Sequence, residues 1–363
     1  MNAPSKNTAS GPAVVAPETR DLAVLSAALI DWLGRKLPSA REIRLQDLHY
    51  PLGAGLSHET ILFDAEWREA DRQVRRGMVV RIKPTRHLVY QDDMFAAQYE
   101  LMQLMHGSGQ VRIAEPLWFE TDPAQLGAPF FVMAKIAGRV AVSYPPYTQE
   151  GWLFDAAAED RRWMWHDAVT QLALIQTMPV GDAEFLALPG DFDEGFDQEL
   201  DRWRRYMEWV DPAGELALLR DGFARLVAAR PGNRPEGIVW GDARLGNMMI
   251  GDDWTVAAVM DWEQPSLGGA LHDLGWWLHT DYVQTVGRGL APLAGMGSRA
   301  ETIELWEAVS GKSAQDIDWY QIFAAFKMEC LAVRLATMRP LPKMAEPGTQ
   351  TARFLDYGLA HQA

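Results

Sequence analysis

Asp242, Asn247 and Asp261 are spaced so that three oxygen-bearing side chains can meet at one point. The stretch that carries them reads IVWGDARLGNMMIGDDWTVAAVMDWEQP. Apolar Met248 to Ile250, a polar Gly251-Asp252-Asp253 turn, and Trp254 to Met260 rich in Val and Ala form a β-hairpin signature. In antiparallel strands the start of one faces the end of the other. With Ile250 opposite Trp254, Asp261 comes back to the Asp242–Asn247 loop. Asp242, at a strand-to-loop junction, could then orient a hydroxyl and take its proton while Asn247 and Asp261 hold a divalent cation. Such a set suits phosphoryl transfer, where the protein supplies position and charge neutralisation.

Asp-x-x-x-x-Asn followed by a strand-borne Asp resembles the protein kinase-like superfamily, and its aminoglycoside phosphotransferase family most closely. The family's loop reads H-G-D-x-x-x-x-N; WGDARLGN keeps this pattern with Trp240 in place of the His. MDWE matches a later I/V-D-W/F-E element, which implies Asp261 as metal ligand and Glu263 as a second or outer-shell ligand. QYELMQLM, GAPFFVM and WGDARLGNMM look most like the branch associated with acyl-CoA dehydrogenases. The resemblance runs from roughly Leu22 to Tyr357.

The resemblance implies ATP and Mg²⁺ as cofactors and a two-lobed α+β kinase-like fold. A small antiparallel-sheet N-lobe (21–135) would bind nucleotide. A mainly helical C-lobe (136–363) would carry the catalytic loop and the substrate-binding helices. The implied activity is phosphorylation of a small-molecule hydroxyl, with a hydroxyacyl or hydroxyacyl-CoA acceptor. An aminoglycoside or amino-alcohol acceptor ranks second. A nucleotide-binding pseudokinase that regulates a partner is the alternative of another class. Trp240 speaks for it, and the presence of all three base and metal residues speaks against it.

The elements that must position this set follow along the chain. Asp21 to Leu37 has helical apolar spacing. Gly53, Gly55 and Ser57 precede a strand at Thr60 to Phe63; a Gly-containing hairpin lets backbone N–H groups approach phosphate. Kinase order makes these three the candidate phosphate-covering loop. In the strand Met78 to Lys83, Arg81 and Lys83 share a face, and either could pair with phosphates. The family has Lys there, and alignment on VVRI favours Arg81. Gln98 or Glu100, in a helix over Met94 to His106 closed by Gly107, would brace that cation. A second hairpin exits at Met133 to Gly138, where the resemblance places adenine against the backbone of Lys135 and Ile136.

Beyond Gly138 the pattern is helical, over Arg161–Met178, Asp197–Trp209 and Leu216–Ala229. Arg202, Arg204 and Arg205 read as a solvated helix face, with an anionic substrate as the alternative. Gln176 stands where relatives have His. Arg244 is the second catalytic candidate: it either meets the transferring phosphoryl charge or clamps its own loop. Asp273 reads as a carboxylate tying the catalytic loop, and most of the tryptophans, Trp276 among them, as core.

Composition bounds the rest. With 363 residues, 48% hydrophobic, the chain can bury a large core and divide in two. A net charge of −15 argues against nucleic acid or anionic lipid as partner, although local Arg and a cation can reverse the field in a cleft. No apolar run is long enough to span a membrane. Residues 1–20 are Pro/Ala/Ser-rich, expected to be disordered and without secretory signal order, so a cytoplasmic location is expected. The single cysteine, Cys330, lies on an apolar helix face and forbids an internal disulfide. No histidine pair has zinc-site spacing.

Overall fold

The structure is a computed structural model and describes residues 20–51, 57–86, 88–190, 192, 194–338 and 345–359. Gly53, Gly55 and nearly all of the N-terminal segment lie outside the described residues. The first part of the chain contains α1 (Leu22–Lys36), β1 (Ala40–His49), β2 (Glu59–Glu69), β3 (Arg72–Ile82), α2 (Phe95–Ser108), β4 (Pro116–Glu120), α3 (Pro123–Leu126) and β5 (Phe130–Ala134). After it come α4 (Trp152–Asp155), α5 (Ala158–Leu174), α6 (Gly195–Val210), α7 (Ala217–Ala228), β6 (Met248–Ile250), β7 (Val256–Val259), α8 (Leu271–Gln284), α9 (Arg299–Ser310), α10 (Ile317–Met338) and α11 (Thr349–Tyr357).

The chain divides into two compact units, one ending at Leu88 and resuming over Leu117–Lys135, the other formed by Val89–Pro116 and Ile136 onward. In the first, β1 to β5 make an antiparallel sheet in the order β1-β2-β3-β5-β4. Period-two alternation in β2 sends Ile61, Phe63, Ala65 and Trp67 to one face. Leu25, Leu29, Trp32 and Leu33 of α1 close over that face, each worth roughly 1.5–3 kcal/mol when fully buried. Asp21 caps α1 by accepting from Ala23 N (2.8 Å). The sequence reading did not contain β1. Its outward positions, Arg41, Glu42, Asp47 among them, mask the alternation of an edge strand.

Two further boundaries differ from the reading. Helix α2, placed with the N-lobe from sequence, groups with the second unit. The reason lies just after it: Ile113 bridges to Val259, and Arg112 N donates to the side chain of Gln171 (2.8 Å). The helix also runs past Gly107 and ends at Gly109, whose φ of 65° makes it the left-handed cap.

The second unit is built on α5 to α11, with α10 packed along α8. Cys330 is buried within α10. No described helix is long and apolar enough to cross a membrane.

Candidate active site

The catalytic segment is held by hydrogen bonds made before any ligand is considered. Val239 exchanges backbone hydrogen bonds with Ser266 (2.8 and 3.3 Å). Gly241 then turns at φ 103°, and a Cβ there would lie 2.4 Å from Gln264 O, so only glycine fits. Asn247 closes a short 3₁₀ turn, Leu245–Asn247, and β6 begins.

The hairpin forms, but in a different register from the one expected. Ile250 pairs with Val256, not Trp254. The Asp253 carboxylate accepts from Thr255 N (3.1 Å) and Thr255 Oγ1 (2.9 Å), which draws Trp254 into the turn at φ 64°. The slip is two residues at Ile250 and, across a bulge between Met249 and Ile250, three at Met248 and Met249, so side-chain parity changes along the hairpin. Beyond the strand pair, Met260 N donates to Asn247 O (2.8 Å). Asp261 therefore sits one residue past a direct backbone link to Asn247. It adopts φ 62°, left-handed for a non-glycine residue, the kind of local strain that gathers at functional sites.

Asp242 is gripped at both carboxylate oxygens. Oδ2 accepts from Asn247 Nδ2 (2.6 Å) and Arg244 Nε (2.9 Å), and Oδ1 accepts from Trp276 Nε1 (2.9 Å). Asn247 Nδ2 also donates to Asp242 O (3.0 Å). With its amide nitrogen committed, the group Asn247 can turn to a cation is its carbonyl oxygen, a hard ligand suited to Mg²⁺. The carboxylates of Asp261 and Glu263 supply the same donor type. Negative charge gathers here: burial first, then Glu263, Asp242 and Asp261, push the Tyr90 phenol well above its usual pKa. A divalent cation would relieve that crowding. Among the described residues no group of three or more His, Cys, Asp or Glu forms a self-contained metal cage, so such a cation would complete its shell on phosphate and water.

Arg244 bonds Asp242 and, through Nη1, Ser143 Oγ (3.1 Å). Burial opposes its charge, but Asp242 and then Asp261 outweigh that and hold its pKa above the ordinary value. Asp273 accepts from Trp240 N (2.6 Å) and Gly241 N (2.9 Å) and so ties the loop, as its position suggested. Burial pushes its carboxyl up to about 6 against those two donors.

Trp240, in the place of the family's His, is fully buried, and its Nε1 donates to Met260 O (2.8 Å). It pins the segment before Asp242 to the residue before Asp261. The Gln176 side chain likewise holds Ile238 O (2.9 Å).

Arg202 corrects the solvated-face reading. It is buried, with Nη1 donating to Pro265 O (3.1 Å) and Nε 3.3 Å from Asp92. Arg204 and Arg205 pair with Asp201, Glu208 and Asp92.

Behind the loop lies an ion pair the reading missed. Lys327, 2% exposed, is 3.6 Å from Glu199 and stands over the rings of Trp203, Trp276 and Phe323. Trp203 Nε1 (2.8 Å) and Ser266 Oγ (2.7 Å) also donate to Glu199. Burial would raise the Glu199 carboxyl, but Lys327 overcomes it and holds it at about 2. Trp276 thus lies between this cation and Asp242. One signal was available in sequence: Trp276 is three residues beyond Asp273, on the same helix face.

In the first unit, Arg81 is buried on β3 and its Nη2 lies 3.1 Å from His58 Nδ1. Lys83 follows the strand, with its N–H on Pro129 O, and Ser57 is buried. The Lys135 placement needs correction in part. Its N–H is committed to Gly77 O (3.0 Å) and its Nζ to Asp64 (2.8 Å), so neither is open to adenine. Ile136, half-buried, begins the second segment of the second unit. Gln98 is buried with no hydrogen-bond partner for its amide among the described residues, and Glu100 is exposed.

A cavity of about 350 Å³ opens over Asp242 within the second unit. Tyr147, Leu245, Trp276, Val283 and Met328 give it apolar walls, with Ser143, Thr280 and Gln284 as polar points. Its size is at the lower end of ligand sites. A hydroxyl-bearing molecule admitted there would meet the carboxylate.

An antiparallel-sheet unit and a helical unit with Asp242, Asn247 and Asp261 flanking a β-hairpin make the architecture of a small-molecule kinase. The chain belongs to the phosphotransferase enzyme family, whose model matches residues 51–310. It is similar in fold to a proposed aminoglycoside phosphotransferase of Ralstonia eutropha JMP134, at TM-score 0.64 and 19% identity, covering 92% of this chain and 93% of that one. Plasmodium vivax ethanolamine kinase follows at TM-score 0.56 and 10% identity, over 88% and 83% of the two chains. In sequence the chain is 22% identical over 232 residues to an Arabidopsis thaliana protein described as "Probable acyl-CoA dehydrogenase IBR3". That match covers 62% of this chain and 27% of the plant protein, so the chain spans about a quarter of that relative's length.

Proposed function

We propose that the chain transfers the γ-phosphoryl group of ATP to a hydroxyl of a small molecule, and that the acceptor is of the hydroxyacyl or hydroxyacyl-CoA type. The observation that carries this is the Asp242 carboxylate, fixed by three donors on the wall of a cavity. Asp242 orients the acceptor hydroxyl and takes its proton. Trp276 and Asn247 prevent the carboxylate from rotating away. Arg244 adds positive charge beside the oxygen where negative charge develops. Asn247, Asp261 and Glu263 hold Mg²⁺, which when bound neutralises the phosphates and draws charge from the leaving group. Arg81 or Lys83 supplies the phosphate-binding cation, Ser57 and the glycines before it cover the phosphates, and the backbone about Ile136 meets the base. Solved structures similar in fold include an ADP and hygromycin B complex and a GDP and kanamycin complex, consistent with a nucleotide and a small acceptor held together. The weak likeness to the plant dehydrogenase-type protein and the apolar cavity walls support the acyl acceptor.

The test is ADP release with Mg-ATP across hydroxyacyl thioesters, hydroxy acids, amino alcohols and aminoglycosides. Turnover should appear with the acyl compounds, and Asp242→Asn should lower it at least about 100-fold. Full turnover in that variant would remove the assigned base. ATP binding with no turnover on any acceptor would favour a regulatory nucleotide-binding protein.

A further inference from the structure

The cavity over Asp242 differs in charge from the molecule that contains it. The chain carries a net charge of −15. Asp242 is the one acid among the residues lining the cavity, against two arginines, Arg244 and Arg288, which leaves one positive charge in excess. Arg244 is committed to Asp242. Arg288 is not committed to any acid among the described residues. It ends the short turn Val286–Arg288 just after α8 and is exposed, and Nε donates to Val283 O (3.0 Å). That bond fixes the guanidinium plane and leaves the terminal nitrogens for a partner, in the fork geometry that suits carboxylate or phosphate. Asp281 of the same helix faces a different cavity, of about 20 Å³.

A second observation falls at the same place. Gln284, the last residue of α8 and four before Arg288, also lines the cavity, and its Oε1 is buried with no hydrogen-bond partner among the described residues. An unmade bond at a buried carbonyl is costly, and a ligand donor is what would complete it.

We propose that Arg288 and Gln284 form an acceptor subsite for an anionic group, so that the molecule phosphorylated is an anion with an apolar body, and not a polycation. The subsite rests on Asp242 being the base that receives the hydroxyl. Arg288 takes the carboxylate or phosphate of the acceptor, Gln284 accepts from an N–H or O–H near that group, and Tyr147, Leu245, Val283 and Met328 enclose the chain between it and the hydroxyl.

The experiment compares a medium-chain hydroxy acid with its methyl ester, which keeps the hydroxyl and the chain but loses the charge. Binding of each to the nucleotide-free protein is measured by calorimetry, and kcat/KM of each with Mg-ATP, for the wild type, Arg288→Gln and Arg288→Lys. The wild type should prefer the acid, chiefly through KM. Arg288→Gln should reduce the acid-to-ester ratio about 10-fold, and Arg288→Lys should restore part of it. A ratio unchanged in Arg288→Gln overturns the subsite, as does a wild type that binds the acid no better than the ester or uses an aminoglycoside as well as the acid. Loss of acid binding in Arg288→Gln in a protein that forms no ADP would support the subsite while removing the kinase reading.

Discussion

Replacing Trp276 by Phe isolates the one donor on Asp242, among the described residues, that comes from outside the catalytic loop. The indole Nε1 lies 2.9 Å from Asp242 Oδ1, while Asn247 and Arg244 both hold Oδ2. Phe keeps most of the ring beneath Lys327 and removes only the N–H and part of the ring area. A hydrogen bond to a charged group is worth about 1.5–3 kcal/mol. Its loss frees Oδ1 and lets the carboxylate pivot about the Oδ2 contacts, so kcat should fall roughly 10- to 150-fold. The smaller side chain should cost ~1–2 kcal/mol of stability, which a denaturant titration separates from the catalytic effect. Steady-state kinetics with the best acceptor decide the matter. A drop in kcat with little change in KM is expected from an orienting residue. A rise in KM with kcat within about twofold of wild type would refute the reasoning and leave Trp276 as a wall of the acceptor cavity.

Two further outcomes concern the packing behind the loop. Lys327→Met leaves Glu199 ionised in a dry site with only Trp203, Ser266 and a distant Arg202 to face it; it should cost about 3 kcal/mol, and Lys327→Met/Glu199→Gln should recover most of that. Equal denaturation midpoints for the single and double variants would contradict the ion-pair account. His272 packs against Phe196, Tyr320 and Phe323 with neither ring nitrogen partnered among the described residues, and burial, then Lys327, holds its pKa down to about 3. The unfolded chain accepts a proton there near pH ~6.5 that the fold refuses until about pH 3. Stability is therefore kept above that window and lost as pH falls through it. From about pH 7 to about pH 5 this ring accounts for ~2 kcal/mol of loss, which His272→Phe should abolish; stability curves that stay parallel between those pH values would reject the assignment.

What the sequence determined is what short-range geometry determines. Asn247 reaches Asp242 across five residues, and Asp261 returns to Asn247 through a hairpin that closes there despite a register different from the expected one. β2 was legible because its alternate positions are buried and β3 because Met78 to Ile82 form a continuous buried run, whereas the pattern failed for β1, an edge strand whose polar residues occupy both faces. The placement of Asp273 as a tie was also legible, since the resemblance supplied its role.

Tertiary structure decided the rest, because those partners are far apart in the chain and are joined only by packing. Trp240 looked like a lost His until its indole was seen to hold Met260 O. Arg202 looked solvated because a charge pattern does not record which carbonyls fold over it. Lys327 and Glu199, distant in sequence, meet because α10 and α6 pack together, and their mutual attraction then keeps both charged against burial. The cavity draws its walls from Ser143 through Met328, and no local spacing contains it.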